Sequence, residues 1–356
     1  MKPPPRAPRT LLFLCAALLA ATLACRRGSG GPGDGGRPRW RIAVIPKGTT
    51  HEFWKSVHAG AVKAARELDV DVIWKGAIRE DDLKGQIDVV QSFVAQGVNG
   101  IALAPLSDRG LVGSVKAAVA AQVPVVVFDS DLASDDYVSF VATDNEAAGK
   151  LAAGALAARV TAVRAPPGGS DDRGARPKRP ARVALLRYEE GSASTGRREK
   201  GFVDAVRANP ELELTSDSQY AGATTETAEK ASENLLTALK ADAGGLDGVF
   251  TPNESTTFGM LLALRKAGLA GKVRLVGFDA SDKLVQGLRS GEIDALVVQR
   301  PFDMGYLAVK TLVLHLGGKP VARRIDTGST LVTRDNLDAP EVQAIVSPDL
   351  KTWLGP

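Results

Sequence analysis

The stretch Arg41–Leu68, RIAVIPKGTTHEFWKSVHAGAVKAAREL, decides how this chain is read. Its apolar run, Ile42-Ala43-Val44-Ile45, is continuous rather than alternating, as in a strand covered on both faces. The run stops at Pro46-Lys47-Gly48. A helical period follows, with Trp54, Val57, Ala61, Ala64, Ala65 and Leu68 on one stripe. Between strand and helix lie Lys47, His51, Phe53 and Trp54, so a cation, an imidazole and two aromatic rings crowd the exit of a buried strand.

The same unit recurs outward from there. The runs VDVIW, GIALA and VPVVVFD alternate with helical spacing over 83–97 and 110–121. After a seam at Tyr137–Asn145 a second series opens at Arg182. It comprises RVALLRY, LTSDSQY, GVFTP, VRLVGFD and IDALVVQ, with helices predicted over 197–208, 225–240, 256–267, 281–289 and 303–316. Nine such strands overfill one open sheet, so the pattern predicts an α/β protein of two doubly wound parallel-sheet lobes. Residues 161–181, rich in Pro, Gly and Arg without apolar period, read as an exposed insertion.

The N-terminus reads as a leader. Lys2, Arg6 and Arg9 precede LLFLCAALLAATLAC, an apolar run too short to span a bilayer and typical of a secretory signal. Its end, Thr22-Leu23-Ala24-Cys25, resembles a lipobox, which implies cleavage after residue 24 and a lipid on Cys25; a signal cut elsewhere is the alternative. Residues 26–40 are a Gly- and Pro-rich tether. Removing the three leader cations lowers the formal charge from +4 to +1, which withdraws the electrostatic case for nucleic acid. The only cysteines, Cys15 and Cys25, lie in the leader, so the body has no disulfide and no thiolate nucleophile. No cofactor and no metal are expected.

In open parallel sheets, ligands bind beyond the carboxyl ends of the strands. There the sequence places Lys47, Phe53 and Trp54 after the first strand, Asp129-Ser130-Asp131 after the fourth, Arg197 and Arg198 near the start of a helix, then Asn253 and Glu254, Asp279, and Gln299. Ring faces together with carboxylates, amides and arginine suit a sugar, which offers C–H faces for stacking and many hydroxyls. Individually, Asp129, Asn253 and Asp279 also read as helix caps, Trp54 as core, and His51 as a solvated turn residue. Their coincidence at five strand ends is what points to a ligand.

These residues carry a resemblance. From Arg41 to about Trp353 the chain resembles sugar-binding proteins of the type-I periplasmic binding fold, the ribose-binding family. The segments FW, VVVFDSD, FVATDN, GSASTGRREKGF, FTPNESTTFGMLLAL, VGFDAS and GEIDALVVQRPFDMG match in order. The resemblance implies two lobes joined by a three-crossing hinge, residues 41–142 with 300–328 and residues 143–299 with 329–353, closing on a sugar. It implies stacking by Phe53 and Trp54, and hydrogen bonds from Asp129, Arg198, Asn253, Asp279 and Gln299. Ribose-type relatives carry Arg where Ser130 stands; IPK and FDSD are instead similar to rhamnose- and autoinducer-binding relatives, which brings Lys47, Asp131 and Glu254 into the expected set.

The expected function is an extracytoplasmic solute-binding subunit, a monomer held by its lipid anchor, passing a sugar or polyol to the permease subunits of an ABC importer. A partner role with a chemoreceptor or sensor kinase uses the same binding chemistry. A sugar-sensing repressor would need a DNA-binding headpiece where this chain has a leader and tether. An enzyme, for instance a glycosidase using Asp129 and Asp279, has only those two carboxylates in its favour: no nucleophile elbow, metal-ligand cluster or phosphate loop is present.

Overall fold

The computed structural model describes Met1, residues 39–164 and residues 179–355. The signal peptide, Cys25, nearly all of the tether and most of the proposed insertion lie outside the described residues.

The first sheet comprises β1 (Arg41–Ile45), β2 (Asp71–Trp74), β3 (Gly100–Leu103), β4 (Val125–Phe128), β5 (Ser139–Ala142) and β11 (Arg324–Asp326). It is parallel throughout, in the order β11-β5-β4-β3-β1-β2. The second comprises β6 (Ala181–Arg187), β7 (Leu212–Tyr220), β8 (Gly248–Phe250), β9 (Arg274–Phe278), β10 (Ala295–Gln299) and β12 (Ser329–Val332). Its order is β12-β10-β9-β8-β6-β7, and only β12 runs antiparallel. The chain passes between the sheets after β5, after β10 and between β11 and β12, which makes the three-crossing hinge. In each sheet the strand order reverses once, between β1 and β3 and between β6 and β8, and a crevice opens there.

Both faces of each sheet are buried, as the continuous apolar runs require. In β1, Ile42 and Val44 enter one core cluster and Ala43 and Ile45 the opposite one, all fully buried. Burying each large aliphatic side chain contributes about 1.5–3 kcal/mol relative to exposure. The helices are α1 (Glu52–Leu68), α2 (Leu83–Ala95), α3 (Val112–Ala120), α4 (Asn145–Arg164), α5 (Ala193–Arg207), α6 (Thr225–Ala238), α7 (Glu254–Lys266), α8 (Asp282–Ser290), α9 (Pro301–Leu316), α10 (Pro340–Val346) and α11 (Lys351–Leu354). Helices touch backbone to backbone in both lobes. A Cβ on Gly60 of α1 would lie 1.9 Å from the Phe302 carbonyl oxygen, and one on Gly305 of α9 would lie 2.0 Å from that of Val57. In the second lobe Gly149 of α4 and Gly201 of α5 stand equally close to the Arg198 and Glu146 carbonyls, at 2.0 and 2.1 Å.

Three features depart from the sequence reading. Helix α4 runs to Arg164 and carries the chain into the expected insertion, which therefore starts later than residue 161. The edge strands β11 and β12 carry no continuous apolar run, so the apolar pattern does not mark them as strands. Residues 329–353 do not all stay with the second lobe. Helix α11 returns to the first, where Arg66 donates to the Thr352 and Trp353 carbonyls at 3.2 and 3.1 Å and Trp353 packs against Phe302.

Candidate functional site

The crevice between the sheets holds a pocket of about 350 Å3 of non-atom space, partly open to solvent. Nine of the ten expected ligand-binding residues line it: Lys47, Phe53, Trp54, Asp129, Arg198, Asn253, Glu254, Asp279 and Gln299.

Strand β1 delivers Lys47, whose buried ammonium lies 3.1 Å from Asp129 Oδ2 and donates to Ser194 Oγ of the opposite lobe at 3.1 Å. The first turn of α1 holds Phe53 and Trp54 edge to face, with centroids 4.8 Å apart and planes at 88°. Trp54 also meets Phe128, so it belongs to the core stripe and to the pocket wall at once.

Asp129 and Asp279 stand at corresponding points, one residue past β4 and one past β9. Both have left-handed backbone, φ 60° and 67°, where Asp is among the few non-glycine residues regularly found. Neither caps the helix that follows it. Asn253 does cap α7, its Oδ1 accepting from Thr256 N at 3.2 Å. Asp279 accepts from Gln299 Nε2 at 2.7 Å and from Glu254 N at 3.2 Å, and burial pushes its carboxyl above the usual range.

Arg198 projects from α5 into the second lobe and is 2% exposed. Its Nε donates to Asn145 Oδ1 at 2.7 Å and its Nη1 to the Pro252 carbonyl at 2.9 Å, while the guanidinium lies 3.9 Å from the Phe278 ring centroid. Burial lowers its pKa, yet a guanidinium stays charged. Three buried polar atoms on the pocket walls have no hydrogen-bond partner: Arg198 Nη2, Gln299 Oε1 and Glu254 Oε2. Unpartnered buried groups cost free energy, so one donor and two carboxyl or amide oxygens are available to a guest. Burial raises the Glu254 carboxyl to about 7, with the charges of Asp279, Glu52 and Glu80 adding to the rise and His51 opposing it.

Asp131 is the tenth expected residue, and it does not line the pocket. Its carboxylate turns to the hinge, accepting from Tyr137 Oη at 3.0 Å, Arg324 Nη2 at 2.9 Å and Arg197 Nη2 at 2.9 Å. The two residues of separation from Asp129 carry it past the strand end and onto β11. Arg197, next to Arg198 on the helix, points to that hinge cluster rather than to the pocket.

His51 lines the pocket, against its reading as a solvated turn residue. Its Nδ1 lies 3.0 Å from Glu80 Oε1. Burial alone would lower the imidazole, but the hydrogen bond and charge of Glu80 outweigh it and raise the pKa to about 9. Glu80, Tyr188, Ser194 and Thr195 also line the pocket and lie outside the expected set. Tyr188 directly follows β6, so the strand-exit rule could have found it; Glu80 lies six residues beyond β2, and no local pattern marks it.

The profile of the periplasmic binding protein domain matches residues 42–320. The chain belongs to the periplasmic binding protein family. This periplasmic binding protein is 26% identical over 284 residues to the ribose import binding protein of Haemophilus influenzae, covering 80% of the chain and 88% of that relative. It is similar to the D-allose-binding periplasmic protein of Escherichia coli at 26% identity, covering 76% and 83%. Among solved structures, a carbohydrate transporter solute binding protein from Agrobacterium radiobacter in complex with D-arabinose superposes with TM-score 0.79, 32% identity and coverage of 88% and 100%. An ABC transporter solute binding protein from Agrobacterium vitis with bound D-fucose gives TM-score 0.77, 34% identity and coverage of 86% and 99%. Family membership implies a place of work outside the cytoplasm. No helix among the described residues is long and apolar enough to cross a membrane.

Proposed function

We propose that this periplasmic binding protein captures a sugar or sugar-like ligand between its lobes and passes it to the permease of an ABC importer, binding without turnover. One observation carries the reading: a stacking wall, Phe53 with Trp54, faces a buried polar set that includes an unpartnered donor and two unpartnered acceptors. In this reading the rings meet the sugar's C–H face. Asp129 and Asp279 accept from its hydroxyls, Arg198, Asn253 and Lys47 donate, and Gln299 and Glu254 complete the shell. Each lobe supplies part of the set, so a ligand touching both favours the closed form by its differential affinity. The sugars in the names of the relatives, ribose, allose, arabinose and fucose, support a monosaccharide.

A thermal-shift screen against pentoses, hexoses, deoxysugars and polyols tests the reading, because a ligand bound only by the folded state raises Tm by mass action. A shift with at least one monosaccharide is expected; no shift with any, at millimolar concentration, contradicts it. The same reading extends to the leader: Cys25 becomes the lipidated first residue and residues 26–40 the tether that keeps the body near its permease. Replacing Cys25 with Ser then releases the protein from the membrane fraction, and unchanged fractionation counts against the anchor.

A further inference from the structure

Glu80 sits in the loop between β2 and α2, its side chain 9% exposed, and gathers three donors, two from the start of α1 and one from the other lobe. His51 and Trp54 flank the start of α1; the first lies 3.0 Å from Oε1 and the second donates to the same oxygen from its indole Nε1 at 2.6 Å. The third comes from the other lobe, where the Tyr188 hydroxyl donates to Oε2 at 2.9 Å. Tyr188 is 3% exposed and is itself fixed, its backbone N donating to Glu199 Oε1 at 3.0 Å. One carboxylate therefore holds the stacking indole, the imidazole beside it and the facing lobe.

We propose that Glu80 is a positioning residue and an interlobe latch, which fixes the Trp54 ring for its ligand and holds the second lobe shut through Tyr188. The part concerning the ligand rests on the sugar-binding reading above; the latch itself does not. The chemistry suits a carboxylate and no near relative of it. All three partners are donors, and two carboxylate oxygens can accept from all of them. A glutamine keeps one acceptor and turns an NH2 toward a donor. Burial would raise the Glu80 carboxyl, but His51's hydrogen bond and charge outweigh that and bring it to about 2, so the group accepts across the neutral range. Burial and then the Glu80 charge push the Tyr188 phenol well up, so it keeps the proton it donates. Opening the lobes parts Tyr188 from Glu80, and anything that settles the Trp54 ring favours the geometry in which the latch is made.

The test compares wild type, Y188F, E80Q and the double variant by two measurements. The first is small-angle scattering without sugar; the second is calorimetric titration with D-arabinose and D-fucose as probes. Y188F should enlarge the sugar-free radius of gyration and weaken the bound probe about tenfold, the loss expected for a hydrogen bond to a charged group. E80Q should weaken it further, and the double variant should be no worse than E80Q, because the two changes remove one shared contact. Wild-type scattering and affinity in Y188F, or losses that simply add in the double variant, overturn the latch. If wild type binds neither probe, the sugar reading loses support while the scattering comparison still decides the latch. If E80Q does not fold, Y188F carries the test alone.

Discussion

Asp129 and Asp279 make the same left-handed turn at matching ends of two sheets, and each faces the pocket with partners from its own lobe. Hydrogen bonds to charged groups contribute about 1.5–3 kcal/mol, so D129A and D279A should each weaken sugar binding roughly ten- to a hundredfold while leaving the fold intact. D131A separates pocket from hinge. Its partners Arg197 and Arg324 have half-exposed side chains, so these ion pairs stabilise by about 0–1 kcal/mol and calorimetry should show nearly wild-type affinity. A hundredfold loss in D131A would return that residue to the ligand shell. His51 gives a pH signature. Its folded pKa is raised toward 9 by Glu80, with Glu254 and Asp279 adding, so its contribution to stability is complete below 6.5 and is lost as pH rises through 9. Glu254, raised to about 7, loses its share between 4.5 and 7 and acts in the same direction. Melting temperature should therefore fall by several degrees from pH 6.5 to 9, and the fall should shrink in H51Q; parallel curves for the two proteins would refute the assignment.

Among the elements, the contact of α4 with α5 positions Arg198. Gly149 lies against the Arg198 carbonyl, and a methyl there would sit 2.0 Å from it, so G149A must push the helices apart and shift the guanidinium. Gly154, five residues on in the same helix, has open space around its missing Cβ. G154A should stabilise by about 0.5–1 kcal/mol through helix propensity and leave binding alone, whereas G149A should lower both Tm and affinity. Equal behaviour of the two in thermal melts and titrations would show that the close approach is dispensable. The elements also show what a sequence discloses. β1, β4, β9 and β10 could be read directly, because burial on both faces writes an unbroken apolar run. β11, reading Arg-Ile-Asp and exposed at two of its three residues, and β12, mostly of intermediate burial, are short edge strands, and their pairing is decided by where the hinge brings them. The pocket residues at strand exits were legible for the same reason as the strands. Glu80 and the true place of Asp131 were not, because both depend on how a loop folds back against a distant element.

At the scale of the molecule, two sheets each end in the same arrangement and face one another across the hinge. Lys47 reaches Ser194, and Ser194 N donates to Ser130 Oγ at 3.1 Å, so the lobes already meet around the pocket through their own polar groups. A ligand adds to these contacts only if both lobes grip it. The most direct test is a crystal structure of the protein with the sugar that gives the largest thermal shift. One sugar ring should lie stacked on Phe53 and Trp54, accepting from Arg198 Nη2 and donating to Asp129 on one side and Asp279 on the other. Sugar held by a single lobe, or in a place that none of these residues reaches, would contradict it.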